Sequence, residues 1–312
     1  MPHPRRFRFG VQVSSAPDGA AWTALAQRVE QLGYSSLYVP DHFGDQLGPI
    51  AALTAAAAAT TNLRVGSLVL DNDYRHPVVM AKEAASIDVL SGGRLELGIG
   101  AGWMTTDYDQ SGIPKDPAGV RVDRMVEAIA VLKAHFGDGL VEFQGEHYQV
   151  SGLDGQPKPV QQPLPLLIGG GGPRVLEIAG REASIVGINP NLRTGKIDAE
   201  TASDAVASKV DAKLEHVRRG AGDRFDDLEL QILVFGVIIT DDRKATMDAM
   251  ASSFGIAAGD DFETPYFWIG SQEEIVADLQ RWRDRWGTSY WVVQGEAAAE
   301  TAAPIVAALN GT

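Results

Sequence analysis

Residues 7–39 read FRFGVQVSSAPDGAAWTALAQRVEQLGYSSLYV, and the fold is decided by how this stretch divides. Residues 7–13 are a short β-rich run. From 18 to 32, apolar residues recur at helical spacing: Ala21, Leu25, Ala26, Val29 and Leu32. Gly33 follows as a helix stop. Residues 36–39 are a second β-rich run. The unit is strand, helix, strand, the building block of a parallel sheet.

Working outward, the same cycle repeats along the chain. Strands are expected at 63–70, 94–100, 166–169, 184–189, 228–239 and 289–293. Helices are expected at 47–60, 78–90, 120–136, 174–182, 198–219, 243–254 and 297–309, with an extra helix at 271–286. Strict alternation fits either a closed barrel or an open doubly wound sheet. Eight strand–helix units favour closure. The expected fold is an α/β (β/α)8 TIM barrel with insertions in the βα loops, and residues 1–312 are expected to form a single domain. Three connections exceed a plain turn: 102–119, 137–165 and 255–265. The middle one reads partly as a hairpin, 141–143 against 147–150. An extended run through Pro157, Pro159, Pro163 and Pro165 follows it.

Composition narrows the function. Apolar residues make up 45% of the sequence and charged residues 22%, as in ordinary globular proteins. The chain has no cysteine, which excludes disulfides, thiolate metal sites, iron–sulfur clusters and thiol nucleophiles. A cytoplasmic location is compatible with that. The net charge of −14 argues against a nucleic-acid surface. No apolar signal-peptide core follows the N-terminus, and the Ala-rich run 51–61 is too short to span a membrane. No HxH or HExxH spacing supports a metal site.

In barrel enzymes the chemistry sits at strand C-termini. The second strand ends in Val39-Pro40-Asp41-His42, an acid beside an imidazole that titrates near neutrality. The fourth ends in Gly98-Ile99-Gly100-Ala101-Gly102, where missing Cβ atoms let a ligand or a tight turn approach the backbone. The fifth ends in Gly169-Gly170-Gly171-Gly172-Pro173-Arg174 and runs into a helix. Pro173 suits a first helical turn, whose free amides and dipole attract an anion, and Arg174 adds a phosphate donor. The other histidines carry less. His3 is expected in the tail, His135 and His216 on helix surfaces, His147 in the hairpin, and His76 as a cap or packing residue before Pro77. Trp103 and Trp268 each suit a pocket wall, a lid or the core.

These residues also carry a resemblance. The segments 33–42, Arg75-His76-Pro77, 87–103 (IDVLSGGRLELGIGAGW), Gly145-Glu146-His147-Tyr148 and 168–172 occur in order. With them the chain resembles the luciferase-like monooxygenase superfamily, in its deazaflavin-dependent actinobacterial branch. The resemblance implies the same (β/α)8 barrel. It implies that Asp41 and His42 are catalytic and lie beside the reactive ring of a coenzyme, with His42 moving a proton and Asp41 orienting or bonding the ring system. It further implies a non-prolyl cis peptide at Leu68–Val69, Gly100, Ala101 and Gly102 beneath the coenzyme chain, and a phosphate site at Gly169–Arg174. Trp103-Met104-Thr105-Thr106-Asp107-Tyr108 departs from the acidic or Asn-containing pattern common in the family at that point. A luciferase-type Glu-His-His is absent, which disfavours light emission and aldehyde oxidation.

The expected coenzyme is a deazaflavin, coenzyme F-420 (F420), with FMN as the alternative. A deazaflavin transfers hydride, whereas FMN also activates oxygen. The leading expectation is therefore an F420-dependent oxidoreductase acting on a small-molecule substrate. The alternatives are an FMN-dependent monooxygenase and a barrel that binds ligand without turnover. The resemblance implies a homodimer. The loops 102–119, 189–195 and 255–265 are expected to shape the substrate pocket.

Overall fold

The computed structural model describes residues 5–253 and 263–312. His3 and residues 255–262 of the third long connection lie outside the described residues. Eight parallel strands form the sheet: β1 (Arg8–Gln12), β2 (Ser36–Val39), β3 (Arg64–Ser67), β4 (Leu95–Gly100), β5 (Leu166–Gly170), β6 (Ile185–Ile188), β7 (Glu229–Val234) and β8 (Thr288–Gln294). Each pairs with the next along the chain, from β1–β2 to β7–β8. The sheet then closes on itself, with Arg8 opposite Tyr290 and Gln12 opposite Gln294. The fold is thus the closed (β/α)8 barrel and not the open sheet.

The surrounding helices are α1 (Gly19–Gln31), α2 (Pro49–Ala59), α3 (Pro77–Ser91), α4 (Ala118–Phe136), α5 (Pro173–Glu182), α6 (Ala207–Ala221), α7 (Gln272–Trp286) and α8 (Glu296–Leu309). Their ends follow local chemistry. Asp18 caps α1 by accepting from the Ala21 amide, and Gly33 behind it has φ of +86°. Ser271 and Glu274 form a capping box on α7. Among the described residues no helix is long and apolar enough to cross a membrane.

Several expectations are corrected. The third strand is not continuous over 63–70: it breaks at Leu68–Val69 and resumes as Leu70–Asp71 beside β4. The run 228–239 is β7 plus a separate strand, Gly236–Ile239, which pairs in parallel with an unforeseen strand, Phe267–Gly270. The helix expected over 198–219 is two, Ala199–Ser203 and α6. The long connection 102–119 contains a helix, Thr105–Ser111, whose polar sequence has no apolar period to reveal it. The supposedly extra helix is the barrel's own α7. It buries Ile275, Leu279, Trp282 and Trp286, whereas Arg243–Ser253 buries only Ala251. His135, expected at a surface or an interface, is on the buried face of α4.

The N-terminal end of the barrel is plugged by charge. Glu96 accepts from Arg8 Nη1 at 2.7 Å, Arg64 Nε at 2.5 Å, Tyr290 OH at 3.0 Å and Tyr38 OH. Arg8 also pairs with Glu229 and stacks 3.6 Å from the centre of the Tyr290 ring. The open end of the barrel is therefore the other one, where the strands finish.

Candidate active site

Residues following β2 build the first wall. His42 Nδ1 lies 2.6 Å from Oδ2 of Asp107, which stands on the helix Thr105–Ser111. Tyr74 OH donates to the same oxygen at 3.1 Å, and the Phe43 amide reaches Oδ1 at 3.4 Å. A carboxylate can only accept, so Nδ1 carries the proton and the ring presents Nε2 as its basic nitrogen. Trp103 meets the imidazole edge to face at 5.7 Å. Asp41, the neighbour of His42 in sequence, bonds elsewhere. Asp41 is buried and turned to Arg75, which reaches it with both terminal nitrogens at 2.5 and 3.2 Å, and it also accepts from the Asp71 amide. Asp41 thus braces the rim, while Asp107 orients the imidazole.

The second wall comes from β3 and β4. The Leu68–Val69 peptide is cis, as the resemblance implied. Gln12 Nε2 donates to the Leu68 carbonyl at 2.7 Å. The glycines of β4 are explained by this break. A Cβ on Gly100 would stand 2.7 Å from Val69 Cγ2, and one on Gly98 would stand 1.9 Å from the Ser67 carbonyl oxygen. Gly102 has φ of +74° and leaves room for Tyr108 OH and Asp71. Burial, together with Asp73 and Asp41 nearby, pushes the Asp71 carboxyl up to about 6, against hydrogen bonds from the Asp73 amide and Tyr108 OH. Asp71 faces the cavity, and no sequence signal marked it.

The third wall is the tetraglycine. Gly172 is the N-cap of α5, and no side chain caps that helix. Pro173 occupies the first turn. The remaining first-turn amides have no helical acceptor and suit an anion. The four glycines differ in what they do. A Cβ on Gly171 would stand 2.5 Å from the carbonyl oxygens of Asn189 and Pro190, while one on Gly172 would meet nothing nearer than Asn191 Nδ2 at 4.0 Å. Arg174 is exposed and holds Asp123 on α4.

These walls enclose one cavity of about 960 Å³. Every sequence candidate lines it: Asp41, His42, Leu68, Val69, Gly100–Gly102 and Gly169–Arg174. Trp103 lines it as well, whereas Trp268 is core, packed against Trp291. His76 caps α3 through the Val78 amide, as expected. Two carboxamide oxygens at the cavity, Gln46 Oε1 and Asn189 Oδ1, are buried without a partner. Buried polar atoms are almost always paired, so these point to a ligand. An uncapped helix start, unpaired amide groups and a cavity in the size range of coenzyme sites suit a flavin-type coenzyme with a phosphate.

Comparison with known proteins gives a consistent picture. The family model for luciferase-like monooxygenase matches residues 6–302. An F420-dependent glucose-6-phosphate dehydrogenase of Amycolatopsis mediterranei is 32% identical over 164 residues, 50% of this chain and 49% of that protein. The chain thus spans about half of that relative's length, and 64% of the length of mycobacterial relatives at 33% identity. In fold, the coenzyme F420-dependent tetrahydromethanopterin reductase of Methanopyrus kandleri superposes with a TM-score of 0.78 at 19% identity, covering 98% of each chain. A monooxygenase of Streptomyces bottropensis superposes with a TM-score of 0.71 at 18% identity, covering 97% of this chain and 98% of its own.

Proposed function

The chain belongs to the luciferase-like monooxygenase family, and from that premise we propose that it is an F420-dependent oxidoreductase acting on a small organic molecule. One observation carries the reading. The imidazole of His42, held by Asp107, shares a single cavity with the uncapped start of α5. The F420-dependent relative and fold neighbour support the choice of coenzyme.

The residues divide the work. The amides at the start of α5 hold the phosphate, and Gly172 leaves it room. The Leu68–Val69 segment, held by Gln12, would lie against the coenzyme ring. The deazaflavin, when bound, supplies hydride transfer. His42 takes or gives the accompanying proton at Nε2, while Asp107 fixes the tautomer and steadies the imidazolium. Trp103 helps to exclude water from the imidazole.

The test is to titrate the purified protein with F420 and with FMN, following coenzyme fluorescence. F420 is expected to bind. Binding of FMN without F420 rejects the reading in favour of a flavin monooxygenase. His42→Ala should lower the hydride-transfer rate by about 10²- to 10⁴-fold while F420 binding persists. An unchanged rate would favour a barrel that binds without turnover.

A further inference from the structure

Asp41 has no part in the chemistry described above, yet it ties two segments of the rim together. Its carboxylate accepts from the Asp71 amide and from Arg75. Both ends of the segment 71–75 are thus fastened to the residue that precedes His42. Between those anchors lies Tyr74, the last residue of the short turn Asn72–Tyr74, which Asp71 caps through the Asp73 amide. The Tyr74 ring is bracketed by Phe43, with centres 4.6 Å apart, and by Tyr108 at 5.8 Å. So held, its hydroxyl donates to Asp107 Oδ2 at 3.1 Å.

That oxygen is the one that also meets His42 Nδ1. Among the described residues no Lys or Arg pairs with Asp107. The charges around the pair are acidic or engaged. Asp71 and Asp73 share the Tyr108 hydroxyl, Arg75 is on Asp41, and Arg124 is on Asp73 and Asp116. Lys115 and Arg121 approach the Tyr108 ring at 5.7 and 5.6 Å, but Lys115 donates to the Trp103 carbonyl and Thr105, and Arg121 to the carbonyls of Ala101 and Gly102. Asp45 and Asp109 are exposed. Without Tyr74, the carboxylate would place nearly all its charge on the imidazolium and hinder return of the proton. The Tyr74 hydroxyl shares the oxygen and spreads that charge. Burial, with Asp71 and Asp107 beside it, pushes this phenol far above the ordinary range of tyrosine, so it remains a donor at any working pH. Tyr74 lies outside the cavity lining, so it acts through Asp107.

We propose that Tyr74 is a positioning residue for proton transfer: its hydroxyl fixes Asp107 and weakens the hold of Asp107 on His42, so that the imidazole can both take and give the proton. The part this plays in hydride transfer rests on the F420 reading, whereas the contact itself does not.

The test is an NMR titration of protein labelled in the histidine ring nitrogens, without coenzyme, from about pH 5 to 9. Comparison with His42→Gln identifies the His42 signals. Tyr74→Phe keeps a ring between Phe43 and Tyr108 and removes only the hydroxyl. The His42 titration midpoint should then rise by about half to one pH unit, while the other histidines hold. In an Asp107→Asn background the same substitution should move the midpoint by less than about 0.2 unit. A midpoint that stays or falls in Tyr74→Phe overturns the proposal, as does an equal rise without Asp107 or a shift common to all the histidines. Titration of the parent with F420 keeps the two readings apart. The expected rise in a protein that binds no F420 overturns the coenzyme reading alone. F420 binding without the rise overturns this proposal alone.

Discussion

Two buried carboxyls, one at each end of the barrel, are driven in opposite directions. Burial alone would raise both. At the plugged end, Arg8 and Arg64 outweigh burial and hold Glu96 at about 2. At the open end Asp71 forms no ion pair among the described residues, Arg75 being bonded to Asp41, and it rises to about 6. Every oxygen of Glu96 is bonded, while Gln46 and Asn189 beside the open cavity keep unpaired oxygens. The Glu96 cluster is satisfied internally and stabilises the barrel. The open end leaves groups for a ligand to satisfy, at a cost in stability.

Glu96→Gln should have the largest effect, because it removes the buried carboxylate that two guanidiniums share and leaves Arg64 without a charged partner. A loss of roughly 3–5 kcal/mol is expected in guanidinium chloride unfolding at pH 7. F420 affinity per folded molecule should not change, since Glu96 sits at the far end. A loss under about 1 kcal/mol would show that the plug is not what separates the two ends.

Asp71→Asn sharpens the contrast through pH. The folded-state pKa of Asp71 is raised, so its stabilising contribution is complete below its ordinary value of 3.8 and is lost as pH rises through about 6. The variant should therefore exceed the parent by up to about 3 kcal/mol at pH 8 and approach it near pH 4. Glu96 has the reverse sign. Its contribution is present above 4.5 and is lost only as pH falls through about 2. Thermal unfolding from pH 2 to 8 checks both, and a stability difference for Asp71→Asn that stays flat with pH would dissolve the comparison.

The sequence discloses these regions unevenly, for physical reasons. Period and punctuation reveal the barrel because each strand is buried on both faces and each helix carries an apolar stripe. The tetraglycine is visible because few other roles require four glycines ahead of a proline. Asp107 is not visible. It lies 65 residues from His42, on a polar helix without periodicity, and only the side-by-side pairing of β2, β3 and β4 brings the two together. The break in the third strand is hidden because Leu68 and Val69 are good strand residues, and only the resemblance pointed to it. No pattern marks Asp71, since neither its burial nor the engagement of Arg75 by Asp41 is local information.

The finest division falls between adjacent residues, Gly171 and Gly172, where packing and ligand binding meet. Sequence treats them alike. A Cβ at 171 would crowd two carbonyl oxygens of the loop after β6, both backbone atoms that cannot swing away. Gly171→Ala should cost roughly 1–3 kcal/mol through overpacking, and F420 binding should fall with the fold. Gly172 has φ of −89°, which any residue adopts, and open space beside it. Gly172→Ser should leave stability unchanged or raise it by a few tenths of a kcal/mol, because the new hydroxyl caps α5. That same hydroxyl takes an amide that the phosphate needs, so F420 affinity should drop while the melting temperature holds. Fluorescence titration beside thermal unfolding separates the two outcomes. If Gly172→Ser bound F420 as tightly as the parent, the start of α5 would not be the phosphate site, and the open end would owe its unpaired groups to some other ligand.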